Sequence, residues 1–454
     1  MTYISANPAT DLTLQEFPVW AEAKLESTLA AVAKATLDWA ALSFAERGAH
    51  FRQAAVILRR NRDHLASLIT LEMGKVTREA RGEVEKCATV CDFYAEKAVE
   101  FLADDVIASD AGRSFVSHPP LGTVLAVMPW NFPFWQVFRF AAPAMMAGNT
   151  GVLKHASNVP QCALAIEEVF VEAGFPVNVF RTLMISAGQV ERVIADSRIH
   201  ATTLTGSCPA GRKIGAASGA NLKKTVMELG GSDPFIVLED ADLDLAVSTA
   251  VLSRYLNAGQ SCIASKRFIV VPEIAEAFLL RFKAAVEALK PGDPNLDTTT
   301  LAPMARKDLR DELHSQVTRS IAQGAVAVTG CRTLSGLGAY YAASILDHVK
   351  PGMVAYSEEL FGPVAVVIRG KDEQEAVHIA NDTEFGLGGS VWTRDSARGE
   401  RVARQLQCGA VFVNGLVKSD PRLPFGGIRT SGYGRELSLL GIREFVNSKT
   451  IWVR

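Results

Sequence analysis

The stretch ATTLTGSCPAGRKIG, Ala201 to Gly215, is where the choice of fold is made. Its opening Ala-Thr-Thr-Leu-Thr is β-branched or apolar and has the length of a buried strand; Gly206 and Ser207 end it, and Gly211 falls inside the helical stretch that follows. A strand that turns through Gly-Ser directly into a helix is half of a βαβ unit, and the N–H groups opening such a helix can receive a pyrophosphate. A Gly-Ser strand ending is equally ordinary turn chemistry, and no GxGxxG fingerprint accompanies it.

The surrounding chain repeats the pattern. TVLAVM, TGVLKH and VFRTLMI upstream and KKTVMEL downstream are short apolar runs separated by helical stretches, which predicts a largely parallel sheet covered on both faces. At LGGSDP, Leu229 to Pro234, paired glycines and a proline interrupt both periods; PFIVLED, RFIVV, AVAVTG, AVVIRG and GAVFVNG then restart the alternation. The restart predicts a second α/β domain. Ahead of both, from Ala21 to about Ala103, apolar residues such as Leu25, Leu29 and Val32 recur at helical spacing.

Composition narrows the function classes. The chain has 454 residues, enough for two or three domains, and its 47 Lys plus Arg against 49 Asp plus Glu leave no field to recruit nucleic acid or an anionic membrane. Seven cysteines without a repeated CxxC spacing read as reduced thiols. Cys87 and Cys91 lie one helical turn apart, and a shared core face is their reading rather than a metal site, because no His-Cys cluster completes a tetrahedron. The N-terminal MTYISANPATDLTLQEF has no apolar h-region, so the expected location is cytoplasmic.

One cysteine stands apart. NAGQSCIASKR, Asn257 to Arg267, sets Cys262 behind Gly259, Gln260 and Ser261 and just before the apolar FIVV, a loop braced by a strand. On that window alone a small buried hydrophobe is the plainer reading.

Seven segments in order change it: MPWNFPFWQVFRFAAPAMMAGNT, VLKHAS, LTGSCPAGR, MELGGSDPFIV, NAGQSC, EELFGPV and PFGGIRTSGYGRE. In sequence and spacing they resemble the aldehyde dehydrogenase superfamily over nearly the whole chain, to the closing FVNSKTIWVR. The resemblance implies two parallel-sheet α/β domains with a small β oligomerisation segment. It divides the chain into a dinucleotide-binding domain over residues 1–230, with an excursion at 104–122 to an oligomerisation arm, a catalytic domain over 231–430, and a C-terminal return over 431–454. It also implies a homodimer or homotetramer.

What the resemblance implies for chemistry attaches to single residues. Cys262 becomes the nucleophile that forms a thiohemiacetal and then a thioester. Asn131 and the cysteine's own N–H become the oxyanion donors, and Glu228, 34 residues before Cys262, the base that activates water. Lys154 is assigned to the adenosine ribose, Ser207 to the pyrophosphate, and Glu359 with Phe361 to the nicotinamide half; Trp130, Gly206, Gly211 and Leu229 belong to the same cofactor site. Where many NAD-using relatives carry glutamate, this chain has Ser157, three residues after the lysine. Without a carboxylate to repel a 2′-phosphate, NADP is favoured over NAD; Ser157 also reads as a helix N-cap before SNVPQCALAIEE.

The substrate implied is a small semialdehyde. Arg139, eight residues after Asn131, matches an arginine that members acting on succinate semialdehyde use on the distal carboxylate; helical spacing puts Asn131, Trp135 and Arg139 on one face. Ser419 lies in the loop that supplies another carboxylate contact. The second arginine of some such enzymes is missing, with Leu256 in its place and Arg254 two positions away, which keeps glutarate semialdehyde open. A CoA-acylating enzyme and a non-catalytic relative are the other classes; Glu228 argues against the first, Cys262 with Asn131 against the second.

Overall fold

The structure, a computed structural model, describes residues 2–454. It opens with a hairpin of β1 (Thr2–Asn7) and β2 (Leu12–Pro18), which the helical periodicity does not announce. β2 is almost wholly exposed, so it carries no alternation to read. Helices α1 (Glu22–Ala41), α2 (Phe44–Arg60), α3 (Arg62–Met73) and α4 (Thr77–Phe101) follow, α2 started by a capping box between Ser43 and Glu46. Cys87 and Cys91 are fully buried on α4.

β3 (Asp105–Val106) and β4 (Arg113–Ser117) leave the body and pair with each other, and β4 also pairs with the last strand of the chain. The chain returns with β5 (Thr123–Met128), α5 (Trp135–Met146), β6 (Thr150–His155), β7 (Phe180–Thr182), β8 (Ile199–Thr205) and β9 (Lys224–Glu228). These strands are parallel, in spatial order β9-β8-β5-β6-β7. β5 and β6 are buried on both faces, and all twelve residues of α5 are buried between the sheet and α4, which is why this region reads as continuous apolar sequence.

The second sheet begins at β10 (Asp233–Val237) and continues through β11 (Ser265–Val270), β12 (Val326–Thr329), β13 (Ser344–Asp347), β14 (Val364–Arg369), β15 (Gly388–Trp392) and β16 (Ala410–Val413). Its order is β12-β13-β14-β11-β10-β15-β16, parallel except for β12 at one edge. β13 and β15 have no counterpart in the apolar runs of the sequence: SILD and GGSVW carry a serine, an aspartate or paired glycines, yet every residue is buried.

β17 (Gly432–Tyr433) then crosses back and pairs antiparallel with β9, setting Gly432 opposite Glu228. A Cβ on Gly432 would overlap the Met227 carbonyl, and its φ of 113° is in any case one that side chains avoid. β18 (Lys449–Val453) pairs with β4 and completes the three-stranded sheet β18-β4-β3. No helix of the described residues is long and apolar enough to cross a membrane.

Candidate active site

The loop carrying Cys262 is held in a conformation that it would not choose. Asn257, Ala258 and Gly259 have φ of 53°, 51° and 73°, three left-handed residues in succession. An alanine there costs about 1–2 kcal/mol, so the surroundings must over-determine the loop. They do. Arg254, 0% exposed, donates from below to the carbonyls of Gly259 (3.0 Å), Leu360 (3.1 Å) and Gly362. Asn257 Nδ2 donates to the Asn131 carbonyl (2.8 Å), and the Ala305 amide donates to Gln260 Oε1 (2.8 Å). A Cβ on Gly259 would overlap the Gly362 carbonyl, so NAGQSC and EELFGPV pack backbone to backbone. Arg254 is thereby a brace for this loop rather than a group facing substrate.

One face of α4 braces both the cysteine loop and the start of α5. Glu79 Oε2 accepts the Asn257 amide (2.9 Å), and Glu83 Oε1, one turn on, accepts the amides of Phe134 (2.9 Å) and Trp135 (3.0 Å). Glu83 therefore caps α5, and its buried charge is paired with Lys75. Asn131 precedes α5 in a bend and does not share its face, contrary to the helical spacing; the helix starts only at Trp135. Trp135 and Arg139 do lie one turn apart on α5.

Cys262 is half-buried and lies in the wall of two cavities. The first, about 390 Å³, includes Asn131, Ser207, Leu229, Glu359 and Phe361. The second, about 320 Å³, includes Lys86, Trp135, Arg139, Ser419 and Phe425. Burial pushes the thiol up to about 11, against the pull of Arg139 and Lys266. Lys266 Nζ donates to the carbonyls of Ser261 (2.9 Å) and Cys262 (2.7 Å) and pairs with Glu359 (3.1 Å). Asn131 Nδ2 donates to the Gln260 carbonyl (3.1 Å), inside the cysteine loop.

Glu228 is 2% exposed and neither of its carboxyl oxygens has a hydrogen-bond partner. Burial, reinforced by the like charge of Glu436, holds its carboxyl well above the usual range. Gly426 leaves room for it: a Cβ there would stand 2.6 Å from Glu228 Oε1. Arg139 is ion-paired with Glu436, donates to Thr205 Oγ1 (3.1 Å) and lies over the Phe425 ring at 4.6 Å.

The remaining cofactor candidates gather along the first sheet. Ser207 is the N-cap residue of the helix Cys208–Ala220, and its hydroxyl makes no capping bond. Gly211 packs on Leu229, where a Cβ would stand 2.5 Å from the leucine side chain. Gly206 and Trp130 line the first cavity, Trp130 edge-on to Phe361 with ring centroids 5.8 Å apart. Glu359 accepts the Gly231 amide at 3.1 Å. Lys154 lies in a separate cleft beside Lys213 and the helix Cys208–Ala220; burial pushes it down to about 8. Ser157 is exposed in a turn and does not cap: the next helix starts at Pro160 with Val159 before it.

Motif reading passes over Lys86, which donates to Ser419 Oγ (2.7 Å), and over Glu79 and Glu83. The signal available was their spacing: residues 79, 83 and 86 repeat at helical intervals in an otherwise amphipathic helix.

Two largely parallel sheets covered by helices, with one thiol in the wall of a cavity of about 390 Å³ and of a cationic one of about 320 Å³, define an α/β architecture with a cysteine at the junction of two cavities. The chain belongs to the aldehyde dehydrogenase family, whose model matches residues 1–451. It is 52% identical to a probable succinate-semialdehyde dehydrogenase [NADP(+)] of Synechocystis sp. over the full length of both chains. It is 48% identical to an Escherichia coli succinate semialdehyde dehydrogenase [NAD(P)+], covering 99% of this chain and 97% of that one. The crystal structure of a Streptococcus pyogenes succinic semialdehyde dehydrogenase in complex with NADP+ superposes with a TM-score of 0.98 at 39% identity, covering 99% of each chain.

Proposed function

We propose that this chain oxidises succinate semialdehyde to succinate with NADP, and that Cys262 is the nucleophile. The observation that carries the reading is the place of Cys262 in the wall of both cavities. An aldehyde bound to that thiol meets a dinucleotide cleft on one side and cationic groups on the other. The activities named for the Synechocystis, Escherichia coli and Streptococcus proteins support it.

The thiol gives up its proton to solvent, and the thiolate attacks the aldehyde carbon, forming a C–S bond as the carbonyl π bond breaks to an alkoxide. Asn131 Nδ2, released from the Gln260 carbonyl, and the Cys262 N–H take that charge; one such donor is worth about 3–4 kcal/mol in kcat. NADP, when bound, supplies the acceptor for the hydride that leaves the carbon. The thioester left on Cys262 is then attacked by water, the ionised Glu228 taking the proton and passing it on to the departing sulfur as the C–S bond breaks, which returns the thiol and releases succinate.

The residues fit the cofactor. Ser207 and the helix start behind it suit a pyrophosphate, and Lys154 is a buried cation three residues before an exposed Ser157. With no carboxylate at position 157, that residue does not repel a 2′-phosphate, so NADP is preferred and NAD tolerated. The exposed Trp452 and Val453 on β18 and Val106 on β3 support a homodimer or homotetramer built through the β18-β4-β3 sheet. Seven free cysteines support a cytoplasmic location.

The test is NADPH formation with succinate semialdehyde, glutarate semialdehyde and butanal, each with NADP and NAD and with or without CoA. Succinate semialdehyde with NADP should give the highest kcat/KM, independent of CoA. A CoA requirement, or no reduction with any aldehyde, overturns the reading.

A further inference from the structure

Both peptide groups that flank Cys262 end on one ammonium. Lys266, the second residue of β11, is 1% exposed and turns back to the loop that precedes its own strand. Its Nζ donates at 2.9 Å to the Ser261 carbonyl, part of the peptide ahead of the nucleophile, and at 2.7 Å to the Cys262 carbonyl, part of the peptide behind it. The first oxygen also accepts the Ala264 amide at 3.2 Å; the second is backed by Gly231, where a Cβ would stand 2.9 Å from it. Holding both planar groups fixes φ and ψ of Cys262, and with them the direction in which its side chain leaves the backbone.

No peptide bond among the described residues is cis, so the Cys262 N–H points opposite to the Ser261 carbonyl that shares its plane. With that oxygen turned to Lys266, the N–H is turned away from the lysine, and it has no acceptor among the described residues. A charged donor on a carbonyl also polarises the amide, which strengthens the N–H at its other end. Lys266 is not a free charge beneath the thiol. Glu359 pairs with it at 3.1 Å, and the buried Asp233 carboxyl also feels it, so two acids balance one cation. What the lysine contributes is the setting of the two peptides.

We propose that Lys266 is a positioning residue for the oxyanion: it orients the Cys262 N–H, and through that N–H stabilises the alkoxide formed when the thiolate adds to the aldehyde. The role rests on the reading of Cys262 as the nucleophile. Lys266 acts through the peptide, and Cys262 makes the contact with the reacting oxygen.

The experiment separates an effect on the oxyanion from an effect on the thiol. Alkylation by iodoacetamide displaces iodide and builds no oxyanion, so its second-order rate reads the thiolate alone; kcat/KM for succinate semialdehyde needs both the thiolate and the donor. Both are measured at one pH on enzyme saturated with NADP, and dividing the second by the first cancels the ionised fraction. In Lys266→Met the quotient should fall about tenfold or more, part of the loss that follows removal of such a donor outright. Lys266→Gln can still bond to Glu359 but is too short to hold both carbonyls; it should show the same fall, and it guards against a collapse caused by leaving the acids unpaired. A fall of less than about tenfold in either variant, including the case in which both rates drop together, overturns the proposal. A wild type that is alkylated at Cys262 yet reduces no NADP with the semialdehyde fails the functional reading instead.

Discussion

Arg139 and Glu436 form an ion pair whose side chains are 2% and 4% exposed, near enough to Glu228 that the charge of Glu436 adds to burial in raising its carboxyl. Two carboxyls and one guanidinium share a space without solvent. Removing the cation leaves Glu436 uncompensated, which in comparable buried pairs costs about 3–5 kcal/mol. Arg139→Ala should therefore lower the melting temperature and reduce kcat/KM for succinate semialdehyde and butanal together. Thermal unfolding and paired kinetics check this. A loss confined to the semialdehyde would show that Arg139 reads the distal carboxylate.

Glu228→Gln should still give one equivalent of NADPH in a rapid burst and then turn over at least tenfold more slowly, in the range typical of a lost general base. Hydride leaves before water attacks, so the first step does not need this carboxyl. In the wild type, the raised carboxyl of Glu228 is protonated at low pH and becomes a base only as pH rises through its elevated value, so the steady-state rate should climb with pH while the glutamine variant stays flat. Stopped-flow absorbance over a pH series reads both; a variant with no burst would place Glu228 before hydride transfer.

Much of this fold was legible because its strands are buried on both faces. TVLAVM, TGVLKH, PFIVL and RFIVV appear as apolar runs since nothing on either side is wet. β13 and β15 were invisible because four or five residues with a serine or glycines carry too little pattern, and β2 because its residues face solvent. At the site, Cys262, Asn131 and Glu228 sit in segments whose order marked them. Lys86 and Glu436 gain meaning only from what lies opposite: a lysine on a helix face is ordinarily solvated, and nothing local says that Ser419, 333 residues away, closes over it.

Cys262→Ala should abolish turnover and leave NADP affinity within about fivefold, since a small side chain in a cofactor wall contributes little beyond its contacts. Dehydrogenase assays and fluorescence titration with NADP measure the two separately. A variant keeping a tenth of wild-type kcat would remove Cys262 from the mechanism.

Ser157→Glu should move preference from NADP towards NAD. Position 157 is exposed and caps no helix, so a glutamate there disturbs little but the charge met by a 2′-phosphate. An unscreened pair near 4 Å is worth up to about 4 kcal/mol at an effective dielectric of 20, and exposure reduces that. The ratio of kcat/KM with NADP to that with NAD should fall by at least tenfold; an unchanged ratio would locate the 2′-phosphate away from this turn.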